Sequence, residues 1–146
     1  MNYFEKLCNI VNHSLFIELR YSYDEWNKKE WDYRIDTHPM TSSIKKSYQE
    51  AITECHDKLD SDLFCKNHYK EKLNNQQKEV FEKLISEICQ TLEEDMIFRF
   101  SYGSYLEANV WIFKAEIYSF DRISECDYQA HDYNPIIALK KILNSL

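Results

Sequence analysis

The apolar residues of this chain switch repeatedly between the helical spacing of three to four and the strand spacing of two, and this change of period restricts the fold more than any other feature. Phe4, Leu7, Cys8 and Val11 form the stripe of a short amphipathic helix over residues 2–12. From Leu15 the period is two: Leu15, Ile17, Leu19, Tyr21 and Tyr23 alternate with Phe16, Glu18, Arg20 and Ser22. Trp31, Tyr33 and Ile35 then alternate with Asp32, Arg34 and Asp36. These are two half-buried strands, and the polar stretch 24–30 is long enough to join them as a hairpin.

After His38 and Pro39 the residues Ile44, Tyr48, Ala51, Ile52, Cys55, Leu59 and Leu63 share a face. This predicts a long helix from about 42 to the early 60s with Thr41 or Ser42 as its N-cap. A second helix begins near Asn74 or Asn75, where Asn74 with Gln77 fits a capping box, and Val80, Phe81, Leu84, Ile85, Ile88, Cys89 and Leu92 give it a wide stripe. Residues 65–73 read equally as a connector or as continued helix. Alternation returns at Met96, Phe98, Phe100 and Tyr102, and Gly103 is expected to break the run. The strand over 109–120 is apolar on both faces around 111–113, which places it centrally in the sheet. A weaker strand is expected over 125–130. Asn134 as N-cap with Pro135 behind it opens a terminal helix carrying Ile136, Leu139, Leu143 and Leu146 on one face. The order α-β-β-α-α-β-β-β-α sets hairpin-like strand groups on either side of a helical pair. The expected fold is therefore α+β, a mainly antiparallel sheet of about five strands with helices packed on it. One glycine and two prolines leave no linker, so residues 1–146 read as one domain.

Charge narrows the partners. The formal net charge is -7, from 25 acidic and 18 basic side chains, and a field of that sign repels phosphate backbones and anionic lipid while steering a basic protein surface inward. No apolar stretch approaches the roughly 20 residues that cross a bilayer, and residues 1–8 lack the apolar core and cleavage site of a signal peptide. The expectation is a cytoplasmic protein with no nucleic-acid or membrane partner. Five scattered cysteines, Cys8, Cys55, Cys65, Cys89 and Cys126, read in that setting as reduced thiols.

Chemistry is sparse. With Gly103 as the sole glycine, a Gly-rich phosphate cradle is excluded by count, and neither a nucleophile elbow nor an HExxH zinc helix is present. Cys55, His56, Cys65 and His68 offer ligand types that zinc accepts, but Cys55 falls on an apolar stripe, adjacent residues point apart and no paired CxxC spacing occurs; no metal or other cofactor is expected. His131-Asp132 and His56-Asp57 are sequence neighbours, and a catalytic pair is a matter of geometry, not adjacency. No catalytic residue is assigned, although a small hydrolase or nuclease using His131 is one alternative.

The remaining signal is an acidic, aromatic stretch. Asp24, Glu25, Trp26, Glu30, Trp31 and Asp32 bring carboxylates and two tryptophans to the expected hairpin end, and Trp is a common interface anchor. Against this, Trp31 and Tyr33 fit the core equally well, whereas a loop Trp26 has less structural reason to exist. A second acidic group, Glu93-Glu94-Asp95, reads first as a solvated link. In size, acidity, aromatic content and absent catalytic signature the chain resembles the immunity proteins that neutralise bacterial toxins, often nucleases, and small phage-encoded inhibitors. The likeness is compositional and assigns no residue roles. It implies a non-catalytic module that binds a basic partner such as a toxin nuclease. A structural or regulatory subunit of a complex is the other alternative.

Overall fold

A computed structural model describes residues 1–23, 29–35, 47–65, 73–105, 110–119, 121 and 125–146. Four α-helices, α1 (Tyr3–Asn12), α2 (Tyr48–Lys58), α3 (Lys78–Thr91) and α4 (Pro135–Ser145), accompany five strands: β1 (Ile17–Tyr23), β2 (Lys29–Ile35), β3 (Met96–Tyr105), β4 (Val110–Ser119) and β5 (Tyr128–Asp132). The strands form one antiparallel sheet in the order β2-β1-β3-β4-β5, and the α+β class and element order match expectation. β4 is an interior strand, paired on both sides, with β3 at the centre.

Register sorts the side chains onto two faces, because neighbouring residues along a strand point oppositely. Ile17, Leu19 and Tyr21 stand across from Ile35, Tyr33 and Trp31 on one side and Tyr102, Phe100 and Phe98 on the other. This face meets all four helices in one buried cluster. Phe81 of α3 is its hub, with ring centroids 5.6 Å from Phe4, 6.1 Å from Tyr48 and 5.9 Å from Phe100, so one side chain ties α1 and α2 to the sheet. The opposite face carries Glu18, Arg20, Asp32, Arg34, Arg99, Lys114 and Glu116.

Local chemistry explains the helix ends. Asn2 and Asn134 cap α1 and α4 with their side-chain oxygens, and Asn74 with Gln77 forms a reciprocal capping box at a 3₁₀ turn (Asn75–Gln77) that runs straight into α3. Asn12 bridges the backbone of Leu73 from both sides, donating to its carbonyl at 3.2 Å and accepting from its N–H at 3.1 Å.

Several expectations need correction. The expected helix from about 42 is not continuous: Ser47 is extended (φ -144°, ψ 157°) and caps α2, while Leu59 is extended again at the other end, before a separate 3₁₀ turn (Ser61–Cys65). Thr41, Ser42 and Ile44 lie outside the described residues, as do 66–72 of the undecided connector. Gly103 does not end β3 but pairs with Ile112 inside the ladder. Its missing side chain is occupied by a neighbour, since a Cβ there would stand 2.8 Å from Cδ2 of Phe16. Val80 is exposed (42%). At 100° per residue it sits about 90° round the helix from the face formed by Phe81, Leu84, Ile85 and Ile88. β5 begins at Tyr128, later than expected, because the residues before it are used otherwise: Asp127 N–H donates to the Ile117 carbonyl at 2.9 Å and the Ser119 hydroxyl to the Asp127 carboxylate at 2.6 Å.

Candidate functional site

The acidic, aromatic stretch is divided by strand alternation. Trp31 points into the core, 5% exposed, with ring centroids 4.8 Å from Tyr21, 5.5 Å from Tyr48 and 6.3 Å from Phe98. Tyr33 is buried beside it and donates its hydroxyl to Glu54 at 3.1 Å. Glu30 and Asp32 lie on the opposite face, where Asp32 accepts from Arg20 at 2.8 Å. Asp24, Glu25 and Trp26 lie outside the described residues; their chain neighbours Tyr23 and Lys29 are directly paired. Of the described members, Glu30 and Asp32 thus share one face and Trp31 takes the other, and the period of two that pointed Trp31 and Tyr33 inward was the signal for this.

What the sheet does bring together is the β1–β2 end and the turn between α3 and β3. β1 and β3 pair with Tyr21 opposite Phe98, so the start of β2 and residues 93–95 share one end of the sheet. Lys29 links them: its ammonium donates to the carbonyl oxygens of Leu92 at 3.3 Å and Glu93 at 3.1 Å, satisfying groups at the C-terminal end of α3 where a cation suits the helix dipole. Burial lowers the Lys29 pKa, against the pull of the Glu94 and Asp95 carboxylates nearby. Glu93, Glu94 and Asp95 themselves are exposed. The acidic group that read first as a solvated link is therefore next to the hairpin end.

On the core-facing side of this end lies a cleft of about 490 Å³ between the strand residues Tyr21 and Trp31, the start of α2 at Tyr48, and α3 at Glu82 and Cys89. The Tyr3 hydroxyl donates to Glu82 Oε1 at 2.6 Å, and Tyr3 and Tyr48 stack edge-on at 5.8 Å. Burial pushes Tyr48 up to about 12 and raises Tyr3 further, so both hydroxyls stay protonated donors. Burial likewise pushes Cys89 up to about 12, keeping it a thiol.

The histidine pairs differ from each other. His56 does meet its neighbour: Nδ1 lies 3.2 Å from Asp57 and Nε2 lies 3.2 Å from the Asn9 amide, while Lys6 donates to both Asp57 oxygens at 2.8 and 3.0 Å. Lys6 and Asn9 come from α1, so the group clamps α1 to α2, and the ring is further packed on Phe64 at 4.8 Å. Both ring nitrogens are thereby engaged. His131 and Asp132 lie on opposite faces of β5, and Asp132 is held by the Asn134 N–H at 2.9 Å and Lys141 at 3.1 Å. Cys55 is fully buried, and burial raises its pKa, so it remains a thiol within the core. Among the described residues no cluster of His, Cys, Asp and Glu could hold a metal ion; the side chains of Cys65 and His68 are outside them. No described helix is long and apolar enough to cross a membrane.

Fold and site define an α+β domain with an acidic end and a mixed polar and aromatic cleft. The sequence matches no protein-family model, and searches of curated proteins and of solved structures return no match.

Proposed function

We propose that the protein is a non-catalytic, cytoplasmic binding module that engages a basic protein partner through its acidic end, in the manner of an immunity-type or phage-type inhibitor of a toxin nuclease. The observation that carries this reading is the bond from Lys29 to the carbonyls of Leu92 and Glu93, which sets the exposed Glu93, Glu94 and Asp95 beside the strand that leads into residues 24–28. The exposed carboxylates of residues 93–95 thereby stand at the β1–β2 end of the sheet, in a chain of net charge -7. Trp26, with Asp24 and Glu25 on its flank, is the anchor the reading expects there.

The test is capture of the partner followed by kinetics against salt. The expected partner is basic, and its association slows by about tenfold or more between low and high ionic strength. Substituting Glu93→Gln, Glu94→Gln and Asp95→Asn together slows association, whereas Trp26→Ala speeds dissociation. For a nuclease partner, the bound protein abolishes its nucleic-acid cleavage. Association indifferent both to salt and to the triple substitution would overturn the acidic end as the contact surface.

A further inference from the structure

We propose that β5 is the contact edge of a homodimer, in which a second copy of this chain pairs its own β5 antiparallel to the first about a two-fold axis at Ala130. β5 and β2 are the outer strands of the sheet, and they are built differently. β2 carries Lys29, Glu30, Asp32 and Arg34, charges of the kind that keep an open edge from pairing. β5 has neither lysine nor proline, and its one carboxylate, Asp132, is bound to Lys141 at 3.1 Å. Of the five large apolar side chains that stand exposed among the described residues, Tyr128 lies on β5, Tyr133 directly follows it, and Ile137 is in the first turn of α4. Exposed apolar surface therefore collects along this edge of the sheet.

The backbone sets the register. The Cys126 thiol sits 3.7 Å from the Ile117 carbonyl oxygen and 2.9 Å from that of Tyr128, so the Tyr128 carbonyl faces β4. Alternation then turns the N–H and C=O groups of Gln129 and His131 to the open edge, where the Lys141 ammonium reaches the His131 carbonyl at 3.4 Å. That oxygen keeps a second lone pair for an incoming N–H. With Ala130 on the axis, Gln129 of one copy stands opposite His131 of the other, and each such pair exchanges two N–H···O bonds. The side chains agree with this register. Tyr128 meets Asp132 of the other copy on the helix-covered face, hydroxyl against carboxylate, and Gln129 meets His131 on the opposite face, so no like charges oppose each other. Charge selects the same side of the molecule. In a chain of net charge -7, residues 128–146 hold a single acidic side chain, Asp132, against Lys140 and Lys141, so two copies meet where the acidic surplus is absent. The antiparallel arrangement also sets the exposed Glu125 end of one strand beside the Lys141 end of the other.

The experiment measures sedimentation of the intact protein over a wide concentration series, with amide hydrogen exchange of the isotope-labelled chain at both ends of the series. The expected result is an average mass that rises from one chain towards two, while the Gln129 and His131 amides gain about tenfold or more in protection. Gln129→Lys combined with His131→Lys sets like charges across the axis and weakens dimerisation by about tenfold, whereas Gln129→Lys combined with His131→Glu restores opposite charges and recovers it. Both positions are exposed, and melting curves of dilute samples confirm that each variant keeps its fold. Should either variant melt early, the amide readout on the unaltered chain decides. A chain that stays monomeric at every concentration, a dimer that leaves the Gln129 and His131 amides unprotected, or two folded double variants that dimerise equally well would each overturn the assignment.

Discussion

Gly103 stands inside β3 because Phe16 fills the space its side chain would take, and a double-mutant cycle on this pair gives a prediction whose sign reverses. The Gly103 φ is not positive, so alanine fits the backbone, and relieving the glycine's excess chain entropy should contribute about 0.4–1 kcal/mol of stability. Against this, the new Cβ would lie 2.8 Å from Cδ2 of Phe16, closer than real Cβ contacts come, and a tight 3.2 Å from Cε2. The ring must shift, although Arg34 packs on it with its guanidinium 5.5 Å from the ring centroid. Overpacking of this kind costs roughly 1–3 kcal/mol. Gly103→Ala in the wild type should therefore destabilise by about 0.5–2 kcal/mol, but in a Phe16→Ala background it should stabilise by about 0.4–1 kcal/mol. Urea unfolding followed by circular dichroism, with all four corners of the cycle at constant m, measures both. If Gly103→Ala has the same effect in the two backgrounds, Phe16 is not the reason for the glycine.

Three further expectations are independent of that pair. Asn12→Ala strands the N–H and carbonyl of Leu73, both bonded to the Asn12 side chain within the buried core, and should cost about 2 kcal/mol or more, read as a lowered urea midpoint. Asn134→Ala removes the oxygen that accepts from the Ile136 and Ile137 N–H groups at 2.8 and 3.3 Å and should cost about 1 kcal/mol, with Asn134→Ser recovering most of it. The Lys6 and His56 bonds hold the Asp57 carboxyl below its ordinary value of 3.8, so this group's stabilisation is complete above that value and is lost as pH falls below it. The stability difference between wild type and Asp57→Asn should accordingly shrink as pH falls below about 4; a difference that persists undiminished at about pH 2 would refute the assignment.

How far the sequence could be read follows the range of the interaction concerned. The capping box of Asn74 and Gln77 and the cap at Asn134 involve residues two or three apart, and both were legible as they stand. So was the order of elements, which depends on period alone. The start of α2 was not, because residues 44–51 keep a helical spacing through Ser47, and it is the extended backbone of Ser47 that ends any such run. Gly103 was misread since its reason, the ring of Phe16, lies across the ladder from it. The described part of the candidate surface follows the same rule. Glu30, Trp31 and Asp32 are neighbours along the chain, yet the pleat sends Trp31 to one face and the carboxylates to the other, while the group that does join this end arrives from residues 93–95 through tertiary pairing.

The distribution of charge over the two sheet faces says where the acidic surplus can act. On the face away from the core, Glu18 is 7% exposed and takes Arg34 at 3.1 Å and Arg99 at 3.4 Å, while Glu116, also 7% exposed, takes Arg99 at 3.1 Å and Lys114 at 3.8 Å. Arg20 and Arg99 stand directly opposite in the register, a repulsive pairing that is offset because Arg20 is bound to Asp32 at 2.8 Å and Arg99 to two carboxylates. With Glu30, which lies on this face too, four cations meet four carboxylates among the described residues, so this face adds nothing to the chain's net acidity. Carboxylates enclosed by partners act on folding and contribute little to long-range attraction, whereas the exposed ones of the α3–β3 turn do the reverse. Two single substitutions of the same chemical size should therefore separate cleanly. Glu116→Gln leaves Arg99 short of a partner and should lower the urea midpoint, by roughly 1–3 kcal/mol, with little change in association rate. Glu94→Gln should leave the midpoint within about 0.5 kcal/mol and slow a basic partner chiefly at low salt. If Glu94→Gln destabilises as much as Glu116→Gln, the turn is part of the scaffold and the acidic end loses its distinction from the rest of the surface.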